Sequence, residues 1–492
     1  MSSSFPYSTT GRKMKISERF KLESTQFELD FVDIDTDVDL PLFVDPFFLG
    51  CRSDSWSVNA TRTLRSFFQA FINLIRDGEE DQARALFDYL HEPNETCLGL
   101  SIGRPRGNAI GSIDSQKLFN SIAQSEAVAT GIVEDLEDFR LFIDGIDKDK
   151  VSDMTTNIIR GHLVKYTQEQ CKLWGIALNE NIQSGFFWDR TTHNWINQHE
   201  SMLVIEGRKI LLTPKGIVSY SKKYTPQKYY NHFVLEYLQH ENLRNYSRLV
   251  QYRNDGTPYV TKKSLKELPE SEYSKNFLAS FTSSHPEVFR DFKDWIKNTA
   301  TAISNEELND ADPISISQYL ISRLGNIQPG GESASKYHRL AVGILEFLFY
   351  PHVTSPIVER EIHDGRKRID ITFDNSANTG FFHRLHTNYQ TPAQFIFVEC
   401  KNYSRDVANP EIDQLSGRFS INRGKFGLLL CRSVDNMDLL LARCNDTYVD
   451  GRGIMIPIVD DDLVSMLNKI KDGVANPHEQ FLTERFRSVA LR

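Results

Sequence analysis

Three charged residues stand where a packed strand ought to be apolar. The segment QFIFVECK (394–401) is an apolar run ending in Glu399 and Lys401, which flank Cys400. An extended chain therefore points both charges to one face. Asp370 lies between Ile369 and Ile371 in IVEREIHDGRKRIDITF (357–373), which predicts a β-hairpin turning at Asp364-Gly365. Charges on a buried strand face are expensive unless they are paired or bind a metal. Two carboxylates offer hard oxygen ligands to Mg²⁺ or Mn²⁺, and the Cys400 carbonyl is a candidate third oxygen. A cation held there polarises a phosphate and lowers the pKa of a bound water. Lys401 beside it can orient that water and offset the charge that builds up in the transition state. The set is a minimal kit for phosphodiester hydrolysis. The plainer reading is a salt bridge among Asp370, Glu399 and Lys401 in an ordinary α/β domain.

The elements around this trio predict an α/β unit. YHRLAVGILEFLFYP (337–351) has helical apolar spacing and stops at Pro351; FGLLLCR and IMIPIV read as strands; PEIDQLSGRF, MDLLLARCNDTYV and DDLVSMLNKI read as helices. In this order they resemble the PD-(D/E)XK nuclease superfamily, with its restriction-endonuclease-like αβββαβ fold, and most of all its Mrr-like branch. RID ending in Asp370 and VECK carrying Glu399 and Lys401 match the superfamily's pattern, with Ile369 at the commonly variable proline position. The resemblance covers about residues 333–472. It implies that Asp370 and Glu399 bind the metal and that Glu346, in the helix, is an outer metal ligand. It also implies that Gln414 helps to position the site. DNA is the substrate it points to, and cutting both strands would take two active sites, hence a homodimer or larger homo-oligomer. Arg366, Lys367 and Arg368 precede Asp370 and are candidates for touching the substrate backbone, or else form a solvated hairpin tip. Two rivals remain: the same site cutting RNA, and an inert nuclease fold that only docks nucleic acid or a partner.

The domain plan that follows is a disordered polar lead-in (1–20), a mainly helical α+β region (21–325), a Gly/Ser/Pro-rich linker (326–336), the nuclease domain (337–475) and a C-terminal tail (476–492). In the front region a helix over 59–76 aligns Leu64, Phe67, Phe68, Phe71, Ile72 and Ile75 in one stripe. Helical patterns recur near 79–91, 114–128, 153–174, 226–246 and 285–300, the last with Pro286 at its first turn. EGRKILLTPKGIVSYS predicts a hairpin turning at Gly207. Apolar and acidic residues alternate over 27–39, which predicts an edge strand with Asp33, Asp35, Asp37 and Asp39 in solvent. It is not a calcium loop, because Val38 and Val44 stand where glycine and an acid are needed. GRPRGNAIG, with Gly103, Gly107, Gly111, Arg104 and Arg106, reads as a basic loop that could also contact phosphate.

Composition bounds this reading. A chain of 492 residues, 40% hydrophobic and 25% charged with mean hydropathy −0.41, has the make-up of a globular protein. It holds no apolar run long enough to span a membrane, and its start lacks a secretory stretch. The six cysteines have no metal-like spacing, which predicts buried thiols in a cytoplasmic setting. A net charge of −9 and a pI near 5.9 leave nucleic-acid binding to one local surface. The front region is expected to restrain the nuclease, sensing a target, a regulatory protein partner or an oligomeric state, as suits an effector of anti-phage defence or restriction.

Overall fold

The computed structural model describes residues 14–99, 112–308, 311–362 and 367–492. Its C-terminal part is built on a five-stranded sheet: β1 (Val353–Ile362), β2 (Lys367–Asn375), β3 (Phe395–Lys401), β4 (Phe426–Cys431) and β5 (Ile454–Val459), in that spatial order. Around it run α1 (Ala334–Phe349), α2 (Gly380–Thr387), α3 (Asn409–Ser416), α4 (Met437–Val449), α5 (Asp460–Lys471) and α6 (Pro477–Ala490). The first three strands pair antiparallel, while β3–β4 and β4–β5 are parallel. Parallel neighbours need a crossover, and α3 and α4 supply the two required here. FIFVECK lacks alternation because β3 is central, and from Ile396 onward every residue is buried.

Helix α1 is buried without interruption from Leu340 to Phe349. A helix apolar all round must be packed on every side. One side meets the sheet, and the other meets the front region, where the Phe27 and Phe347 rings lie 5.6 Å apart.

In the front region the helix Ser55–Arg76 buries Leu64, Phe67, Phe68, Phe71 and Ile72 of the stripe its spacing predicts, while Ile75 near its end is only partly buried. The 153–174 pattern is two helices, Lys148–Ile158 and Arg160–Trp174, and the predicted hairpin is His199–Ile205 with Arg208–Ile210, turning at Gly207 with φ 76°. Pro286 opens the helix Pro286–Thr299 as expected.

Four expectations are corrected. Residues 27–39 form no named strand, and Glu28, Asp30, Asp33 and Asp35 are buried. Their alternation reflects acceptors rather than a solvated edge: Asp33 accepts from the Ser17 N–H at 2.9 Å and the Ser17 hydroxyl at 2.6 Å. Residues 14–20 of the lead-in are described and include the helix Ile16–Arg19, whose Ile16 is buried because it packs into the core. Residues 326–336 are a fastened turn rather than a free linker. The Gly330 N–H donates to the Asn402 carbonyl at 2.8 Å, and the Asn402 side chain donates to the Gly330 carbonyl at 2.7 Å. Finally, the tail is α6. Leu482, Phe486 and Val489 are buried, and Tyr389 stacks on Phe486 at 4.2 Å. Leu482→Ala is accordingly expected to lower stability by about 2–5 kcal/mol in urea unfolding, whereas a true tail would show no change.

Among the described residues no helix is long and apolar enough to cross a membrane. All six cysteines are unpaired, and only Cys51 is not fully buried.

Candidate functional site

The β2–β3 register sets Ile371 opposite Val398, so one further step sets Asp370 opposite Glu399. Residues opposite one another on antiparallel strands share a face. The Cys400 N–H donates to Asp370 Oδ2 at 3.1 Å, which fixes the aspartate against β3. Cys400 thus enters the site by its amide, and its thiol is pushed well up by burial and stays inert.

Glu399 is fully buried and surrounded by donors. Lys401 Nζ donates to Glu399 Oε1 at 2.6 Å, and the Gln414 amide donates to the same oxygen. Gln414 Oε1 in turn accepts from Lys401 Nζ at 3.2 Å, which closes a three-membered ring of side chains. The Arg418 guanidinium takes the other oxygen, Glu399 Oε2. Helix α3 places Gln414: Pro410 opens it, Glu411 accepts the Ala408 N–H at 3.0 Å, and Ile412 and Leu415 bury its inner side. Arg418 escaped the sequence reading. It lies in the turn just past the end of α3, where its N–H donates to the Leu415 carbonyl at 3.0 Å, so no helical spacing announced it.

Burial raises the Glu399 pKa, and Asp370 raises it further, against the pull of Lys401 and Arg418. Burial alone would lower the Lys401 pKa, but Glu399 outweighs it and holds the ammonium above its ordinary value. Lys401 therefore stays charged across neutral pH. The donor set fits a divalent cation: two carboxylates stand side by side, and their mutual repulsion is what a hard cation would relieve. Past the strand end, the exposed Arg405 lies 5.4 Å from the Tyr403 ring and 3.9 Å from the Glu411 carboxylate.

Glu346 is not part of this cluster. Its carboxylate is 3.2 Å from Lys215 Nζ, both side chains are fully buried, and its other charged neighbour is Asp30. The outer-ligand role is corrected on that geometry. Gly343, one turn earlier on α1, packs against Glu28, and the face they share looks into the front region. Arg366, the Asp364-Gly365 turn and the 103–111 glycine loop lie outside the described residues. Lys367 and Arg368 pair along β1 with Ile362 and Glu361, but their side chains also lie outside the described set.

A family model described as a domain of unknown function (DUF8370) matches residues 21–225. No curated protein and no solved structure matches the chain. The matched segment ends at Thr225, the N-cap of the helix Pro226–Tyr229, so the match stops at an element boundary. It also contains the residues that seal β1. That edge strand bulges between Thr354 and Ile357, with Ser355 at φ 55°. A bulge leaves backbone groups unpaired. Here Asp30 accepts the Ser355 N–H at 3.0 Å and Gln170 donates to the Pro356 carbonyl at 3.3 Å. Arg52 adds bonds to Thr354 at 3.2 Å and Ser376 at 2.9 Å. Over Thr354–Pro356 the edge of the sheet is covered by the matched segment.

Proposed function

We propose that the C-terminal part of the chain is a PD-(D/E)XK-type, metal-dependent nuclease of the restriction-endonuclease-like fold, acting on DNA. The observation that carries this reading is Asp370 opposite Glu399, with Lys401 and Gln414 tied to the same Glu399 oxygen. The strand order and the helices between β3, β4 and β5 support the fold.

Asp370 and Glu399 would hold Mg²⁺ or Mn²⁺. The bound ion would polarise the scissile phosphate and lower the pKa of a water. Lys401, held 2.6 Å from Glu399, keeps its proton and presents positive charge where the phosphate gains negative charge. Gln414 aims Lys401 and Glu399 together, and Arg418 holds the second Glu399 oxygen. Arg366, Lys367, Arg368 and Arg405 offer cations for the flanking phosphates. The segment matched by DUF8370 restrains or senses, because it is fastened to β1, which pairs with the strand that carries Asp370. A cytoplasmic homo-oligomer acting in anti-phage defence or restriction, with a regulatory partner at the front region, suits this plan.

The test is cleavage of plasmid DNA, single-stranded DNA and RNA by the full chain with Mg²⁺ or Mn²⁺, alongside Glu399→Gln. DNA cutting that needs the metal and is lost in the variant is the expected result. Cutting of RNA alone would move the same site to a ribonuclease. No cutting, together with no Mn²⁺ bound at Asp370 and Glu399, would overturn the nuclease reading.

A further inference from the structure

A second group of ligating side chains lies elsewhere in the C-terminal part. His352, His478 and Glu479 bring their ligand atoms within 4.8 Å of one another, the sole group of this kind among the described residues. His352 precedes β1 at the end where Val353 pairs with Asn375, whereas Glu399 lies toward the opposite end of β3. His478 and Glu479 sit in the first turn of α6. The two sites are therefore at opposite ends of the sheet.

His478 is the unusual member. It is fully buried, and neither ring nitrogen has a hydrogen-bond partner; the Leu348 carbonyl is close to the ring but outside bonding geometry. An imidazole has a donor and a lone pair that are costly to bury unmet, and most native buried polar groups find a partner. Nε2 is 3.7 Å from Glu479 Oε1.

The other two ligands are held in place. Glu479 accepts the Phe381 N–H at 2.7 Å and 2.9 Å and Arg384 at 3.2 Å, the kind of support that orients a ligating carboxylate and still leaves it lone pairs. The His352 carbonyl accepts the Ser376 N–H at 2.9 Å. On its outer side His352 lines a cavity of about 340 Å³ with Arg52, Pro351, Ser376 and Thr379.

We propose that His352, His478 and Glu479 form a transition-metal site of the zinc class, separate from the Asp370–Glu399 pair, that staples α6 to the α1–β1 turn. Two imidazole nitrogens and one carboxylate suit zinc rather than magnesium. Three protein ligands leave a fourth position for a water from the cavity.

The test uses the full chain carrying Asp370→Asn and Glu399→Gln, stripped of metal, so that the other carboxylate pair does not contribute. Zn²⁺ is titrated by calorimetry, and Co²⁺ by the visible absorption of its tetrahedral complexes. One metal per chain is expected, with affinity falling by about 100-fold or more on adding His352→Ala. His352 is only half-buried, and Glu479→Gln provides a second variant that keeps an acceptor for the Phe381 N–H. Circular dichroism confirms that each variant is folded. Absence of Zn²⁺ and Co²⁺ binding overturns the proposal, as does unchanged binding in both folded variants.

Discussion

Lys401→Met is expected to slow metal-dependent phosphodiester cleavage by about 10²–10³-fold while the protein stays folded and still binds Mn²⁺. Methionine keeps the length and apolar character of the stem and removes only the ammonium. Glu399 would retain Gln414 and Arg418 as donors, so no buried carboxylate is left without a partner. The loss should therefore fall on kcat, with KM and the unfolding midpoint little changed. Lys401 is held above its ordinary pKa by Glu399, so it acts as a fixed positive charge, and the pH–rate profile should show no lysine limb near neutrality. Single-turnover cleavage by wild type and variant over a range of pH measures both points. Cleavage at the wild-type rate would reduce Lys401 to the salt bridge of the plainer reading.

Lys215→Met is expected to lower stability by about 3–5 kcal/mol, the usual cost of removing one partner of a buried pair. The ammonium is fully buried, 3.2 Å from Glu346 and 2.9 Å from Asn305 Oδ1, with the Tyr350 ring at 4.1 Å. Burial lowers the Lys215 pKa, though Glu346 and Asp30 pull it back up. Burial pushes Glu346 up to about 8 from 4.5 and raises Asp30 as well. A carboxyl whose pKa is raised on folding gives stability that is whole below its unfolded pKa and is lost as pH rises through the folded one. Without Lys215 the two acids must carry protons to remain buried, which is easy at pH 6 and costly at pH 9. Glu346 ionises near pH 8 when Lys215 is present, so the deficit should grow from about pH 7 to pH 9, and Glu346→Leu in the same background should recover part of it. Urea unfolding at pH 6 and pH 9 decides: a deficit independent of pH would mean that lost packing, not charge, explains the effect. The pair joins the segment matched by DUF8370 to α1, so it also measures how firmly the front region is bound to the C-terminal part.

The candidate site was legible because its signals are local. An apolar run ending in acid-x-lysine is a buried strand with two charges on one face whatever surrounds it. Asp370 between two isoleucines, and Gln414 on a helix opened by proline, obey the same short-range rules. The stripe from Leu64 to Ile72 was readable for the same reason.

What the chain alone left open depends on partners distant in sequence. Alternating acids over 27–35 look the same on a wet edge and in a core that supplies donors, and Ser17, Tyr166 and Ser355 decide for the core. In a helix that is apolar on every side, periodicity does not say which way its one acid faces. Packing against Phe27 and Glu28 turned Glu346 toward Lys215. The polar sequence around 476–492 became a packed helix only because α2 offers the Phe381 N–H to Glu479 and Tyr389 offers a ring to Phe486. Sequence by itself determined the periodicities, and with them the five strands of the sheet, helices α1 and α3 to α5, and the trio Asp370, Glu399 and Lys401. Tertiary structure decided the pairing of each buried charge, since a charge can stay out of water only beside a partner that some other element brings to it.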